Sequence, residues 1–147
     1  MKLSTRGRYG ARFMLDLALH YGDGPVLLRA LSERQEISIK YLEQLIPSLK
    51  AEGLVKSTRG PHGGYHLAKP PSEITLYDVV STLEGPTNLA DCVSSPESCH
   101  RAETCATHEV WADVSHKIVE MLCAVNLEEM AKRQREIEGA DTVLYHI

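Results

Sequence analysis

Three cysteines and a histidine lie close together in the second half of the chain. Cys92, Cys99 and Cys105 fall within fourteen residues, and His108 follows three positions after the last of them. Thiolates and a neutral imidazole are soft to borderline donors, which favour zinc or an iron-sulfur cluster over magnesium or calcium. The spacing contains no Cys-x-x-Cys pair and is therefore less typical of a structural zinc site. The residues alone indicate a soft-metal site and leave the metal open.

The size and composition of the chain set the context for these residues. At 147 residues the chain is long enough to bury a core without disulfides, so its cysteines are free to act as ligands or redox groups. No segment reaches the roughly 18 consecutive apolar residues that a membrane span needs. No apolar run of signal-peptide length follows the charged N-terminus. We therefore expect a cytoplasmic protein without a membrane partner.

Charge is distributed unevenly along the chain. Residues 1–69 hold 11 Lys and Arg against 6 Asp and Glu, a balance of +5, whereas residues 70–147 hold 5 against 14, a balance of −9. A basic half joined to an acidic half is typical of a protein that contacts nucleic acid at one end. The alternative is a chance distribution of solvated charge.

The basic half has the pattern of a helix-turn-helix. Residues 4–21 and 28–35 are predicted to be helical, and Ser38 is placed to cap a third helix that begins at Ile39 and ends at Gly53. Pro47 predicts a local irregularity in the third helix but not its end. One face of this helix is apolar and the other carries hydrogen-bonding side chains, which is typical of a helix that reads DNA. We call it the reader helix.

After Gly53 the apolar period changes to two. Residues 54–59 and 65–68 predict the strands of a hairpin, with glycines in the turn between them. A hairpin directly after a reader helix is a wing, and Arg59 at its tip suits insertion into a narrow, electronegative minor groove. The glycine amides nearby suit contact with phosphates. A nucleotide-binding loop is disfavoured, because neither a Lys-Ser or Lys-Thr pair nor a helix follows.

A further helix leads from the wing to the cysteines. Leu76 to Leu83 have helical spacing, Thr75 is placed to cap them, and Asp78 stands in a capping-box position. Gly85-Pro86 ends this helix. The cysteines therefore lie between two helical segments.

Beyond the cysteines, an apolar residue recurs every three or four positions, as in a two-stranded coiled coil: Trp111, Val114, Ile118, Met121 and Val125. We expect the partner of this seam to be the same helix of a second copy of the chain. Packing of the seam on the chain's own domain is the alternative. A shorter helix through Leu127, Met130 and Ile137 is predicted to follow. Cys123, within the long helix, is expected to be a buried apolar residue.

Several short motifs, spread from residue 1 to about residue 135, carry a family resemblance. They are Met1 to Tyr9, Ile37-Ser38, Tyr41 to Leu45, Gly53 to Val55, Arg59-Gly60 and Gly63 to Ala68. With these motifs the sequence resembles the Rrf-two family of bacterial winged-helix regulators, and within it the branch of iron-sulfur cluster assembly regulators. The resemblance implies a homodimeric repressor or activator that binds a palindromic operator and holds a cluster in the loop before the dimerisation helix.

The resemblance also implies a ligand set. The three family cysteines match Cys92, Cys99 and Cys105, and His108 matches the histidine of the branch that binds a 2Fe-2S cluster. The gap between the first two cysteines holds six residues, where that branch usually has five. We expect the turn at residues 94–96 to absorb the extra residue.

The fourth ligand is where related proteins differ. Relatives with a 4Fe-4S cluster use an acidic residue near position 8 of the partner subunit, and Arg8 cannot serve in that way. This favours His108 over an external ligand, solvent or another carboxylate such as Glu103. A 2Fe-2S cluster is therefore preferred over a 4Fe-4S cluster.

We thus predict a mainly α fold in four parts. They are a winged helix-turn-helix domain with a two-stranded β wing at 1–86, a cysteine-rich loop at 87–108, a long dimerisation helix with a short following helix at 109–138, and a tail at 139–147. Contacts to double-stranded DNA are expected from the N-terminus, the reader helix and the wing: Lys2, Thr5, Ser38, Lys40, Tyr41, Glu43, Gln44, Ser57, Arg59, Gly60, Gly63 and Gly64.

The functional prediction is a homodimeric transcriptional regulator whose operator binding is controlled by an iron-sulfur cluster that senses iron, redox state or nitric oxide. One alternative is the same dimer with a structural zinc site or a cysteine-oxidation switch. A more distant alternative is an iron-sulfur electron-transfer protein. We expect no enzyme activity and no small-molecule substrate, because no paired carboxylates or activated nucleophile stand out.

Overall fold

A computed structural model describes residues 2–145 of the chain. Met1 of the N-terminal motif and the last two residues of the predicted tail lie outside this range. The helices are α1 Thr5–Leu19, α2 Leu28–Gln35, α3 Ile39–Ala51, α4 Leu76–Glu84, α5 Asp91–Ser94, α6 Ala106–Cys123 and α7 Leu127–Tyr145. The strands β1 Val55–Thr58 and β2 Gly64–Leu67 form the hairpin, and short 3-10 turns lie at Pro71–Glu73, Pro96–Ser98 and Ala102–Thr104.

Local capping explains where α1 and α3 begin. The Ser4 hydroxyl accepts from the Gly7 amide at the start of α1, and the Ser38 hydroxyl accepts from the Tyr41 amide at the start of α3, at 3.2 Å in each case. The reader helix α3 continues through Pro47 to Ala51, as the sequence predicted. These bonds satisfy amides that a helix start would otherwise leave without partners.

An ion pair with a buried carboxylate fixes α2 against α1. Asp16 is 1% exposed, and its carboxylate accepts from Arg34 Nε at 3.1 Å and Nη2 at 2.7 Å. Gln35 Nε2 donates to the same carboxylate at 2.9 Å. A carboxylate at this depth needs charged and hydrogen-bonding partners to offset its lost hydration. The pair therefore holds the end of α2, and with it the turn into the reader helix.

The wing is attached to the domain by a backbone bridge. Strands β1 and β2 are antiparallel, with Ser57 opposite Tyr65, and Val26 exchanges two backbone hydrogen bonds with Tyr65 at 2.8 and 2.9 Å. Gly64 lies so close to the Val26 carbonyl that a Cβ at this position would clash with the backbone. The glycine in the hairpin is therefore required by close approach of a neighbouring strand.

Helix α4 packs closely on α1. Its start carries the capping box of Thr75 and Asp78, with bonds of 2.9 and 3.1 Å. Gly7 and Gly10 of α1 face Glu84 and Leu83 of α4, and a Cβ on either glycine would overlap these side chains. Small residues at the crossing let the two helices approach.

Helix α7 is longer than predicted and completes the core. The sequence predicted a short helix through Ile137, but α7 has 19 residues. Leu127 is fully buried and Ala131 is 2% exposed, in the same core cluster as Phe13 of α1. The predicted division of the chain at residue 86 does not anticipate this contact, because it arises only when the chain folds back.

Helix α6 leaves a large part of its apolar surface exposed. It packs on α4 and α5, and it begins at Ala106, so the last three residues of the predicted loop are helical. Cys123 is exposed, so the expectation that it is buried was wrong.

No helix in the range 2–145 is both long and apolar enough to cross a membrane. The fold class is confirmed: mainly α, with a two-stranded antiparallel wing and long C-terminal helices.

Candidate nucleic-acid interface and cysteine loop

The reader helix exposes the polar face that the sequence predicted. Lys40, Glu43 and Gln44 are exposed, while Leu42 and Leu45 on the opposite face are fully buried. The outer face therefore carries a cation, an anion and an amide, which are the side chains that hydrogen-bond to base edges and phosphates.

Tyr41 is held in place by an aromatic contact. Its ring meets the Tyr9 ring of α1 edge to face, with centroids 5.4 Å apart and planes at 79°. The Arg12 guanidinium lies 5.5 Å from the Tyr9 centroid on the same helix. Such pairs are favourable beyond the area they bury. The phenol of Tyr41 therefore sits on the reader helix with its ring orientation fixed from α1.

The predicted contacts from the N-terminus lie beside this helix at the start of α1. Lys2 and Thr5 are exposed, and the Thr5 hydroxyl accepts from Arg8 Nη2 at 3.2 Å. Ser38 is also exposed, although its hydroxyl already caps the reader helix. A capping hydroxyl keeps its own proton free to donate to a phosphate.

In the wing, the predicted contact residues are not equally accessible to DNA. Arg59 and Gly60 are exposed at the tip, and Gly60 has φ 114°, a backbone conformation that favours glycine. Gly63 is buried, and its amide donates to the Gly60 carbonyl at 3.0 Å. The Gly63 amide therefore closes the turn and is not free for a phosphate. Ser57 accepts from Lys50 of the reader helix at 3.0 Å, which ties the wing to that helix.

Short structured segments position the candidate ligands. Cys92 lies in α5, Cys99 follows the Pro96–Ser98 turn, Cys105 is the N-cap of α6, and His108 lies in the first turn of α6. The three thiols are free and partly exposed. Between the first two cysteines the chain changes from α5 to the 3-10 turn at Ser95, whose amide donates to the Asp91 carbonyl at 2.8 Å.

The structure does not bring the four candidate ligands into a coordination group. Within residues 2–145, no three Cys, His, Asp or Glu side chains lie near enough to one another to hold a metal ion. The residues share one segment, but they do not converge.

The chemistry of the donors nevertheless fits a soft metal or cluster. The Thr107 hydroxyl lies 3.0 Å from Cys105 Sγ, and its hydrogen bond, followed by that of the His108 amide, lowers the pKa of the Cys105 thiol. His108 Nδ1 is buried and has no hydrogen-bond partner among the described residues. A thiol with a lowered pKa and a buried imidazole nitrogen without a protein hydrogen-bond partner are groups suited to binding a metal.

Ser115 was missed by sequence reasoning and anchors the loop. It is 2% exposed within α6, donates to the Trp111 carbonyl at 2.7 Å, and accepts from the Leu89 amide at 3.0 Å. The signal available in the sequence is a small polar residue among the apolar positions of the seam. This hydroxyl attaches the segment before Cys92 to the helix that carries Cys105 and His108.

The predicted seam of α6 lies on the surface. Trp111 is 43% exposed, Val114 38% and Met121 74%, while Ile118 is half-buried. Val125, which was predicted to end the seam, lies beyond α6 because the helix ends at Cys123, and it is half-buried. Beside this stripe lies a groove of about 600 Å³, whose apolar lining includes Leu3, Leu76, Val80, Ile118, Leu122 and Met130. Contiguous apolar surface of this kind is typical of a protein interface.

Comparison with known proteins gives a family match and close relatives. The model of the family Rrf2, described as iron-dependent transcriptional regulator, matches residues 3–133. The chain is 42% identical to the HTH-type transcriptional regulator IscR of Xenorhabdus nematophila over 141 residues, which cover 96% of this chain and 85% of that protein.

Solved structures of two regulators are similar to this fold. T. potens IscR has a TM-score of 0.77 and 41% identity, covering 93% of this chain and 90% of that one. CymR, the global cysteine regulator of B. subtilis, has a TM-score of 0.77 and 37% identity, covering 90% of this chain and 98% of that one. The match spans the reader helix, the wing and α6, and the chain belongs to the Rrf2 family of transcriptional regulators.

Proposed function

We propose that this regulator is a homodimer that binds a palindromic operator under the control of an iron-sulfur cluster. Cys92, Cys99, Cys105 and His108 would hold the cluster, and three thiolates with one imidazole favour the 2Fe-2S type. The cluster supplies a redox-active, labile group that can be lost or oxidised. We also propose that the protein is cytoplasmic and that its role is not enzymatic.

One observation carries the proposal: two of the four candidate ligands and the apolar seam share a helix. Cys105 and His108 lie at the start of α6, and Trp111 and Val114 follow on its exposed stripe. A change in the position of the first turn therefore acts directly on the surface that would pack against the second copy. The spacing of the two reader helices depends on that packing.

The chain's own residues perform three tasks. Thr107 and the His108 amide stabilise the Cys105 thiolate, and Ser115 holds the segment before Cys92 against α6. The stripe on α6 would bury its apolar surface against the same stripe of the second copy. The reader helix and the wing would contact bases and phosphates in each half of the operator.

A cysteine-oxidation switch is the second candidate, favoured by two observations. The lowered pKa of the Cys105 thiol increases the thiolate fraction, which is the form that oxidants attack. The similarity extends to CymR, which is named as a regulator of cysteine. In this case the same dimer would respond through the thiols themselves. A structural zinc site in the same segment is the third possibility that the experiment must separate.

The metal content of anaerobically purified protein tests the proposal. We expect a coloured protein that contains iron and sulfide, and we expect Cys99→Ala to lose both. Cys123→Ala is the matched control, because this cysteine is exposed at the end of α6 and lies outside the ligand set. It should retain colour and iron.

Operator binding completes the test. We expect cluster-loaded protein and Cys99→Ala to differ in affinity for at least one operator at matched salt. Equal affinity for every operator would rule out control by the cluster. Colourless protein with stoichiometric zinc would favour a structural site. Colourless, metal-free protein whose operator affinity changes with a thiol oxidant would favour the cysteine switch.

A further inference from the structure

The start of α1 and the end of α4 cap each other. Glu84 Oε1 accepts from the Ser4 amide at 3.0 Å and the Gly7 amide at 3.2 Å, and it also contacts the Ser4 hydroxyl. Arg6 Nε donates to the Leu83 carbonyl at 3.2 Å. A carboxylate at a helix N-terminus and a guanidinium at a helix C-terminus both complement the helix dipole and satisfy unpaired backbone groups.

The same guanidinium reaches the reader helix. Arg6 Nη2 donates to the Ser48 hydroxyl at 3.0 Å, and Nη1 donates to the Gln44 carbonyl at 3.4 Å. These acceptors and the Leu83 carbonyl are all neutral, so the contacts are directional and do not form an ion pair. Arginine suits this position because its donors form a rigid planar fork, whereas lysine presents a single ammonium group.

Helix α4 is also attached to the segment that carries the seam. The Leu76 amide donates to the Val125 carbonyl at 2.8 Å, and the Leu127 amide donates to the Ile74 carbonyl at 2.9 Å. These bonds join the start of α4 to the corner between α6 and α7. At its other end α4 leads through Gly85 into the cysteine loop. Helix α4 therefore touches both ends of the region that bears the candidate ligands.

We propose that Arg6 is a positioning residue that links the end of α4 to the reader helix. Its guanidinium holds the Leu83 carbonyl and the Gln44 and Ser48 acceptors together, so a displacement at the base of the cysteine loop shifts the reader helix. Gln44 is itself one of the predicted base contacts. The positioning role stands on its own, and only the link to the cysteine loop rests on the proposed function.

Three variants separate positioning from other roles. Arg6→Gln removes the charge and the fork, Arg6→Lys keeps the charge but not the fork, and Ser48→Ala removes one acceptor. Arg133→Gln is the control, because this arginine is exposed on α7 and, among residues 2–145, forms an ion pair only with Glu136 on the same helix. Each protein is assayed on operator DNA and on a scrambled duplex across a range of salt, with the urea unfolding midpoint measured in parallel.

Positioning predicts a loss of specificity. We expect both Arg6 variants to weaken operator binding about tenfold, the effect of losing hydrogen bonds to a charged donor. Binding to the scrambled duplex and the salt slope should not change, and Ser48→Ala should give a smaller loss of the same kind. Arg133→Gln should behave as wild type. Should Arg6→Gln fail to fold, Ser48→Ala decides, and unchanged operator binding in that variant overturns the proposal.

Other results would also overturn it. An equal loss on both duplexes, with the salt slope reduced by about 1 in Arg6→Gln and kept in Arg6→Lys, would make Arg6 a direct phosphate contact. Unchanged operator affinity in Arg6→Gln would show that Arg6 has no role in the recognition of operator DNA.

The link to the loop has its own readout. The ratio of operator affinities between cluster-loaded and cluster-free protein should move towards 1 in Arg6→Gln. A wild-type ratio of 1 would refute cluster control and leave positioning intact. A ratio away from 1 that is equal in wild type and Arg6→Gln would refute the link alone.

Discussion

Arg59 and Lys50 serve the wing in different ways. Arg59 is exposed beside Gly60 at the tip, whereas Lys50 reaches from the reader helix to the Ser57 hydroxyl at 3.0 Å. The lysine bond fixes where the hairpin stands relative to the reader helix. We expect the Arg59 side chain to enter the minor groove at little cost in backbone entropy, because the hairpin that carries it is already held against the domain.

Removing the Arg59 side chain should weaken specific binding. We expect Arg59→Ala to cost about 1 to 3 kcal/mol of operator affinity if the guanidinium reads a base or a narrow groove. Fluorescence anisotropy at matched salt measures this. Arg133→Ala, which removes an exposed arginine on α7, should cost nothing measurable. Unchanged affinity in Arg59→Ala would remove this residue from the interface.

The candidate ligands in the cysteine loop could be identified from the sequence, but their relative positions could not be predicted. Spacing identified Cys105 and His108 as candidate donors because donor chemistry belongs to the side chains themselves. Their separation from Cys92 and Cys99 depends on how α5 and two 3-10 turns fold, and sequence spacing does not encode that path. The exposure of Cys123 was also missed, since an apolar helical pattern does not show which face remains uncovered.

At the scale of elements, α6 is an amphipathic helix with too little of its own chain to pack against. Its inner side meets α4 and α5, and its outer side carries Val110, Trp111, Val114 and Met121 in water. Surface of this kind is stabilised when a second apolar surface covers it. In the proposed dimer, this stripe would pack against the same stripe of the second copy across a twofold axis.

A charge in the middle of this stripe should disrupt the dimer. We expect Val114→Asp to raise the dimer dissociation constant at least about tenfold, because an unpaired carboxylate would be buried at the interface. Sedimentation velocity over a concentration series measures the change. His116→Asp places the same charge on the exposed polar side of α6 and should leave the dimer intact. A Val114→Asp protein that sediments as wild type would exclude α6 as the interface.

Helix starts were predicted well because caps are local chemistry. Ser38 and Thr75 with Asp78 each form the bond that their type and position predicted. The length of α7 was missed because residues 139–145 begin with a glycine, are all exposed and lack an amphipathic helical period. The bonds of Arg6 and Glu84 were also missed, since their partners lie about eighty residues away in sequence.

At the scale of the whole molecule, α7 joins the two halves that composition separates. Residues 1–69 have a balance of +5 and residues 70–147 a balance of −9. Even so, Leu127 and Ala131 of the acidic half belong to the core of the basic half, and Arg135 donates to the Leu19 carbonyl at 3.2 Å. Charge composition therefore favours the basic half for the proposed contact with DNA, but it does not mark a boundary between folding units.

The stability of the winged domain should depend on α7. We expect Leu127→Ala to lower the free energy of unfolding by about 2 to 5 kcal/mol, because shortening this fully buried side chain leaves a cavity in the core. Urea denaturation monitored by circular dichroism measures this. Leu144→Ala on the same helix is the control, since that side chain is 73% exposed and its loss should cost under about 0.5 kcal/mol. Equal midpoints would mean that α7 does not contribute to the core.

The contact between Ser4 and Glu84 has a consequence for synthesis on the ribosome. The Ser4 amide at the start of α1 binds a carboxylate that is synthesised eighty residues later. Phe13 packs in the same core cluster as Leu127, so the apolar face of α1 is exposed to water until that part of the chain has been made. Contacts this far apart in sequence delay folding until the intervening chain exists. A nascent chain therefore completes its DNA-reading surface only after the cysteines and α6 have been made. The parts proposed to bind the operator and to receive the signal would then form in one late folding event.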